Sequence, residues 1–150
     1  MVDKELSKRL SKYKLIAGDF NTSLKFSIDT TGYITDTHSN ARDTINGLIE
    51  LGKYVDIYEY FHTGSTSYTW VQDDKGHRRN KKTSRIDHIL VSRSLSQFCQ
   101  GIKHKYTGGL LNHNAIILTM DWCQTPRGPG TFTVGVGLQR IRFISKPLVI

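Results

Sequence analysis

The chain is poor in cysteine and proline, with two of the first and three of the second in 150 residues. Cys99 and Cys123 alone exclude a disulfide framework and a cysteine zinc site. They read as buried thiols of a reducing compartment. No apolar run reaches the length of a transmembrane helix. The opening residues, MVDKELSKRL, are charged and lack the apolar stretch of a signal peptide. An intracellular location, cytoplasmic or nuclear, with no membrane partner, is therefore expected. Internal repeats and long low-complexity tracts are also absent. Acidic residues are outnumbered, 13 Asp and Glu against 21 Lys and Arg, which gives a net charge of +8. A chain so charged attracts polyanions, nucleic acid first and anionic membrane second.

What is present suits one domain with a modest core, since 37% of the residues are hydrophobic. Residues 3–12 have Leu6 and Leu10 at helical spacing. Tyr13 to Ala17 is a short apolar run bounded by Gly18, as in a buried strand. Residues 19–40 are rich in Thr, Ser, Asp and Gly and read as a long loop, which is uncommon unless functional. Residues 41–51 return to helical spacing through Ile45, Leu48, Ile49 and Leu51. Asn40 is a candidate cap and Gly52 a candidate stop for that helix. Ser67–Val71 and Arg85–Ser92 read as strands, joined by a polar, basic stretch into a long hairpin. A further strand pair is expected at 101–106 and 114–120. The last thirty residues hold all three prolines and show no period; 123–150 is taken as an irregular tail.

Three short segments carry chemistry. Gly18-Asp19-Phe20-Asn21 follows the first strand, at a sheet rim where sites are often built. Asp19 can take a proton from water, and Asn21 can donate to a developing oxyanion. The same four residue types also make ordinary turns. The second segment is Ser84-Arg85-Ile86-Asp87-His88-Ile89. Strand alternation puts Ile86, His88 and Leu90 on one face and Asp87, Ile89 and Val91 on the other. A carboxylate among aliphatics needs a partner or a rim position. A surface strand with an Asp87–Arg85 salt bridge is the plain alternative. The third segment is Asn112-His113-Asn114, ahead of the apolar AIILTM. A histidine there can act as general acid or phosphate ligand, or can simply be exposed or capping.

In this order, GDFN, SYTW, SRIDHI and NHNAI resemble the second half of the endonuclease/exonuclease/phosphatase family. That family includes abasic-site endonucleases, DNase I-like enzymes and the endonuclease domains of non-LTR retrotransposons. The last group is the most similar, and the tail fragment RGPGTF also looks like the segment C-terminal to those domains. The resemblance covers residues 13–120. It implies an α+β chain, a partial DNase I-like α/β sandwich with about one of the two mostly antiparallel sheets and its flanking helices. Residues 1–122 would form the C-terminal half of such a domain.

The resemblance implies roles. Asp19 matches the aspartate that orients or deprotonates the attacking water. Asn21 matches the residue that hydrogen-bonds the scissile phosphate. Asp87 matches the carboxylate paired with the catalytic histidine, here His113, whose imidazolium would stabilise the phosphorane. Ser84, Arg85 and Trp70 would brace the site or touch substrate, though Trp70 and Tyr68 also look like packing residues of their strand. The implied cofactor is Mg2+ or Mn2+. The family has Ser-Asp before its histidine, whereas this chain has Leu111-Asn112. Asn112 is the matching metal position, but its amide lacks the charge that a hard cation prefers, so binding there is expected to be weak. The family's N-terminal asparagine and metal-binding glutamate have no counterpart, since Glu5 does not match by position.

Lys75, His77, Arg78, Arg79, Lys81, Lys82 and Arg85 cluster in and beside the basic hairpin, either as phosphate contacts or as a solvated loop. With the resemblance, they favour nucleic acid, DNA before RNA, as partner. Two functions fit. One is metal-dependent phosphodiester hydrolysis of nucleic acid by an endonuclease of retrotransposon type, incomplete in this chain. The other is an inactive or nucleic-acid-binding remnant. A second polypeptide completing the fold, or self-association through a bare sheet face, is the corresponding partner expectation.

Overall fold

The computed structural model describes residues 12–72, 81–107 and 112–121. The expected helix over 3–12 falls outside them, apart from its last residue, as do the hairpin residues Lys75, His77, Arg78 and Arg79 and the tail 123–150.

The apolar run after Tyr13 forms strand β1 (Leu15–Asp19). It pairs antiparallel with β6 (Asp87–Ser92), and β6 pairs on its other side with β3 (Tyr54–Asp56). Within the expected loop of residues 19–40 lie a single helical turn, α1 (Phe26–Asp29), and a two-residue strand, β2 (Thr30–Thr31). Helix α2 spans Ser39–Glu50. It starts earlier than its apolar spacing suggested, so Asn40 sits inside it and His38 precedes its first turn without a side-chain cap. Gly52, at φ +66°, ends it as expected. The amides of Gly52 and Lys53 return to the carbonyls of Ile49 and Leu48, a glycine-based Schellman closure.

A short helix, α3 (Ile57–Phe61), follows β3 and is capped by Asp56, whose carboxylate accepts from the Tyr58 amide at 3.0 Å. The expected hairpin of Ser67–Val71 with Arg85–Ser92 does not form: its second arm is β6, which pairs with β1 and β3. Among the described residues, β4 (Trp70–Val71) pairs instead with β5 (Thr83–Ser84), and β2 joins them on the far side of β5. Helix α4 (Arg93–Ser96) leads into β7 (Cys99–Lys105), which pairs antiparallel with β8 (Ala115–Met120).

One apolar cluster joins these pieces. Ile89 and Val91 of β6 meet Ile57 and Tyr58 of α3, Leu95 of α4, Cys99 and Ile102 of β7, and Leu118 and Met120 of β8. The β6 and β7–β8 sheets thus face one another across a shared core. The other side of β6 is closed too: His88 and Leu90 are both 1% exposed. The wholly bare sheet face expected from a half-domain is therefore not found among the described residues. Partial cover appears at the edges instead, at Ile16 on β1 and along α2, which has no fully buried residue.

Histidine enters this core uncharged. The His104 ring stacks on Tyr58 at 4.5 Å, and its Nδ1 lies 2.9 Å from Ser67 Oγ. Burial first, then the Arg85 charge, push its pKa down to about 4. An unfolded histidine titrates near 6.5, so the unfolded chain binds more protons between those values. His104 thus contributes stability that is complete above about pH 6.5 and lost as pH falls towards 4. The melting temperature followed by circular dichroism is expected to drop across that window. His104→Phe is expected to flatten the drop; an unchanged slope would contradict the assignment.

Candidate active site

Arg85 is the first surprise of the site. Its guanidinium is 1% exposed and grips Asp29 with two nitrogens, at 2.8 and 3.0 Å. The third nitrogen donates to Asp56 Oδ2 at 2.8 Å and lies 3.2 Å from His88 Nδ1. The Tyr58 ring lies beneath, 5.1 Å from the guanidinium carbon. Burial works against the charge, but Asp56 and Asp29 outweigh it and hold the Arg85 pKa above its ordinary value. Arg85 is therefore not a phosphate contact, and the Asp87–Arg85 surface salt bridge does not form. With the Arg85 N–H directed at Nδ1, the proton of His88 belongs on Nε2, which donates to the Thr22 carbonyl at 3.0 Å. Burial, followed by Arg85, holds the His88 pKa down.

That His88 bond secures the turn after β1. Thr22 Oγ1 donates to the His38 carbonyl, and Arg42 Nε donates to the Ser23 carbonyl at 2.6 Å. Arg42 also grips both carboxylate oxygens of Asp36, and this hydrogen bonding holds the Asp36 carboxyl below its usual range. Within the turn, Asn21 adopts φ +51°, a left-handed conformation that asparagine tolerates better than most residues. Its amide donates to Asp19 Oδ1 at 2.8 Å.

The antiparallel register sets Asp19 directly opposite Asp87. Like charges in cross-strand register repel, and such a pair calls for a proton or cation nearby. His113 supplies one candidate: its Nδ1 lies 2.9 Å from Asp87 Oδ2. The histidine is carried there by a backbone bridge between residues 70 and 113, and by the Val71 amide donating to the Asn112 carbonyl at 2.9 Å. Asp19, Asp87 and His113 each offer a ligand atom, all within 4.8 Å of one another. Two carboxylates suit a divalent cation that completes its shell with water or substrate oxygens. If Nδ1 stays bonded to Asp87, the hard donors are the carboxylates of Asp19 and Asp87.

Beside this group lies a cleft of about 260 Å³, whose lining includes Asn21, His113, Trp70, Ser84 and Ile86. Phe26, Tyr33, Asp36, His38 and Arg42 line it as well. Trp70, expected to support the site, to touch substrate or to pack its strand, lines the cleft. Ser84 also forms its wall, and its buried Oγ has no hydrogen-bond partner among the described residues. Lys81 and Lys82 are exposed, and Lys82 Nζ sits 5.2 Å from the Tyr33 ring centre. Asn112 is exposed next to His113. The structure thus brings together Asp19, Asn21, Asp87 and His113, with Trp70 and Ser84 alongside, and removes Arg85 to the core. Asp29, Asp56 and His88 were missed. Only the oddity of acids and a histidine within apolar runs hinted at them.

No protein-family profile matches the chain. Among solved structures, it superposes on a 3′ phosphatase from Neisseria bound to a product DNA hairpin, with TM-score 0.61 and 21% identity. That match covers 79% of this chain and 49% of the other. A 3′–5′ exonuclease from Neisseria meningitidis gives TM-score 0.57 and 22% identity over 75% of this chain and 46% of that one. The fold is a partial DNase I-like one. The chain spans about half the length of these neighbours.

Removing Arg85 would leave Asp29 and Asp56 buried without their counter-charge. Arg85→Met is expected to cost about 3–5 kcal/mol in urea unfolding. A loss below about 1 kcal/mol would show that the cluster is not the anchor described here.

Proposed function

We propose that this chain carries the phosphate-handling half of a nucleic-acid phosphodiesterase site, with DNA as the substrate. The observation that carries this reading is the Asp87–His113 pair at 2.9 Å, set opposite Asp19 and beside Asn21 at the mouth of the cleft. With Nδ1 committed to Asp87, Nε2 of His113 is the nitrogen left for substrate. Asp19 accepts a proton from the attacking water as its oxygen bonds to phosphorus, the Asn21 side chain donates to a phosphate oxygen, and the His113 imidazolium stabilises the phosphorane. The P–O bond to the leaving nucleotide oxygen then breaks, and that oxygen takes a proton from solvent. A divalent cation, Mg2+ or Mn2+, would be held by Asp19 and Asp87, with Asn112 at most a weak ligand, and would supply charge neutralisation at the phosphate.

The finer reading is an endonuclease of retrotransposon type, supported by the succession of GDFN, SYTW, SRIDHI and NHNAI. Exposed Lys81 and Lys82 stand beside the cleft wall as backbone contacts. The expected contributions of Arg78 and Arg79 lie outside the described residues. A second reading, a nucleic-acid-binding remnant without turnover, is favoured by one specific observation. Asn112, exposed beside His113, is an amide and offers no third carboxylate to a cation.

Supercoiled plasmid with Mg2+ or Mn2+ separates the two. Metal-dependent nicking is expected from the wild type, falling about 10²-fold or more in Asp19→Ala and in His113→Ala. Equal nicking by all three would overturn the catalytic reading. Salt-sensitive binding without nicking would establish the remnant.

A further inference from the structure

Thr69 is 0% exposed and is bonded to both segments that carry the Asp87–His113 pair. Its Oγ1 accepts from the amides of Ile86 at 3.1 Å and Asp87 at 3.0 Å. Its amide donates to the Ser84 carbonyl at 3.0 Å, and its carbonyl accepts from the Asn114 amide at 2.6 Å. The Asn114 side chain adds a bond to the Tyr68 carbonyl at 3.0 Å. One residue is thereby bonded to Asp87 itself on one side and to the residue after His113 on the other. The Ile86 and Asp87 amides lie where the chain passes from β5 to β6. The Ile86 carbonyl, in turn, accepts from the Phe20 amide next to Asp19.

We propose that Thr69 is the positioning residue of this site, its hydroxyl setting the separation and orientation of Asp87 and His113. The inference rests on the phosphodiesterase reading for its consequence, but not for its geometry. No other side chain bonds both amides among the described residues, and a valine of the same shape takes the side-chain acceptor from two part-buried N–H groups. Serine keeps the acceptor and loses only a methyl group. Thr69 is enclosed, so it acts through the pair rather than on the substrate.

The first test is independent of turnover. In chain labelled with 15N-histidine, the wild type is expected to show a downfield Nδ1 proton for His113 that disappears in Asp87→Ala. Thr69→Ser is expected to keep this signal, and Thr69→Val to lose or shift it while still unfolding cooperatively. In the nicking assay, Thr69→Val is expected to lower kcat roughly tenfold to a hundredfold, as for a small misplacement of reacting groups, with KM within about threefold. Thr69→Ser is expected to restore it. If Thr69→Val does not fold, Thr69→Cys takes its place, since a thiol is a weak acceptor of similar size. A folded variant lacking the hydroxyl that retains the His113 signal would overturn the proposal, as would equal kcat losses in the serine and valine variants. If the wild type does not nick DNA, the phosphodiesterase reading fails, and the histidine spectrum alone decides the role of Thr69.

Discussion

A single buried cation organises this structure. Arg85 enters the interior at the junction of β5 and β6, and each of its three guanidinium nitrogens has a partner. Asp29 ends helix α1 and Asp56 ends strand β3, 56 and 29 residues away in the chain. A buried ion pair is not in itself strong evidence of added stability, because desolvation offsets much of the attraction. Its effect here is specificity of assembly: a register that moved Arg85 would strand two carboxylates in the core. The same guanidinium fixes the His88 tautomer, and through it the turn that bears Asn21.

The candidate site is a surface consequence of that frame. β6 runs from the rim into the core, so Asp87 stands at the open end while Ile89 and Val91, on the same face, are enclosed. The β1–β6 register then sets Asp19 opposite Asp87, and the segment bridged to β4 swings His113 over them. Two facing carboxylates and a histidine are a costly local arrangement that a plain surface strand would avoid. Function is the economical explanation, since such conflicts concentrate where chemistry is done.

Much of this was readable in order along the chain. Asp19, Asn21, Asp87 and His113 lie in short contiguous patterns, and local spacing was enough to place them near strand ends. The β7–β8 pair and the stop at Gly52 were likewise legible, because apolar alternation and a left-handed glycine are local signals. The role of Arg85 was not. Its partners lie far off in sequence, and long-range salt bridges leave no periodic trace. Helices α1 and α3 were hidden for another reason: four and five residues are too few to show a 3.6-residue repeat. Nothing local in the sequence singles out Thr69, since the two amides that its hydroxyl serves are 17 and 18 residues away.

On the proposed reading, a nucleic-acid phosphate docks against the Asp87–His113 pair rather than on the exposed lysines alone. A 1H–15N titration of the chain with a short DNA duplex, its phosphates replaced by phosphorothioates to prevent turnover, tests this directly. The largest shifts are expected on the Asn21 amide, the Trp70 indole and the His113 imidazole. Shifts confined to Lys81 and Lys82, with those three unmoved, would contradict it.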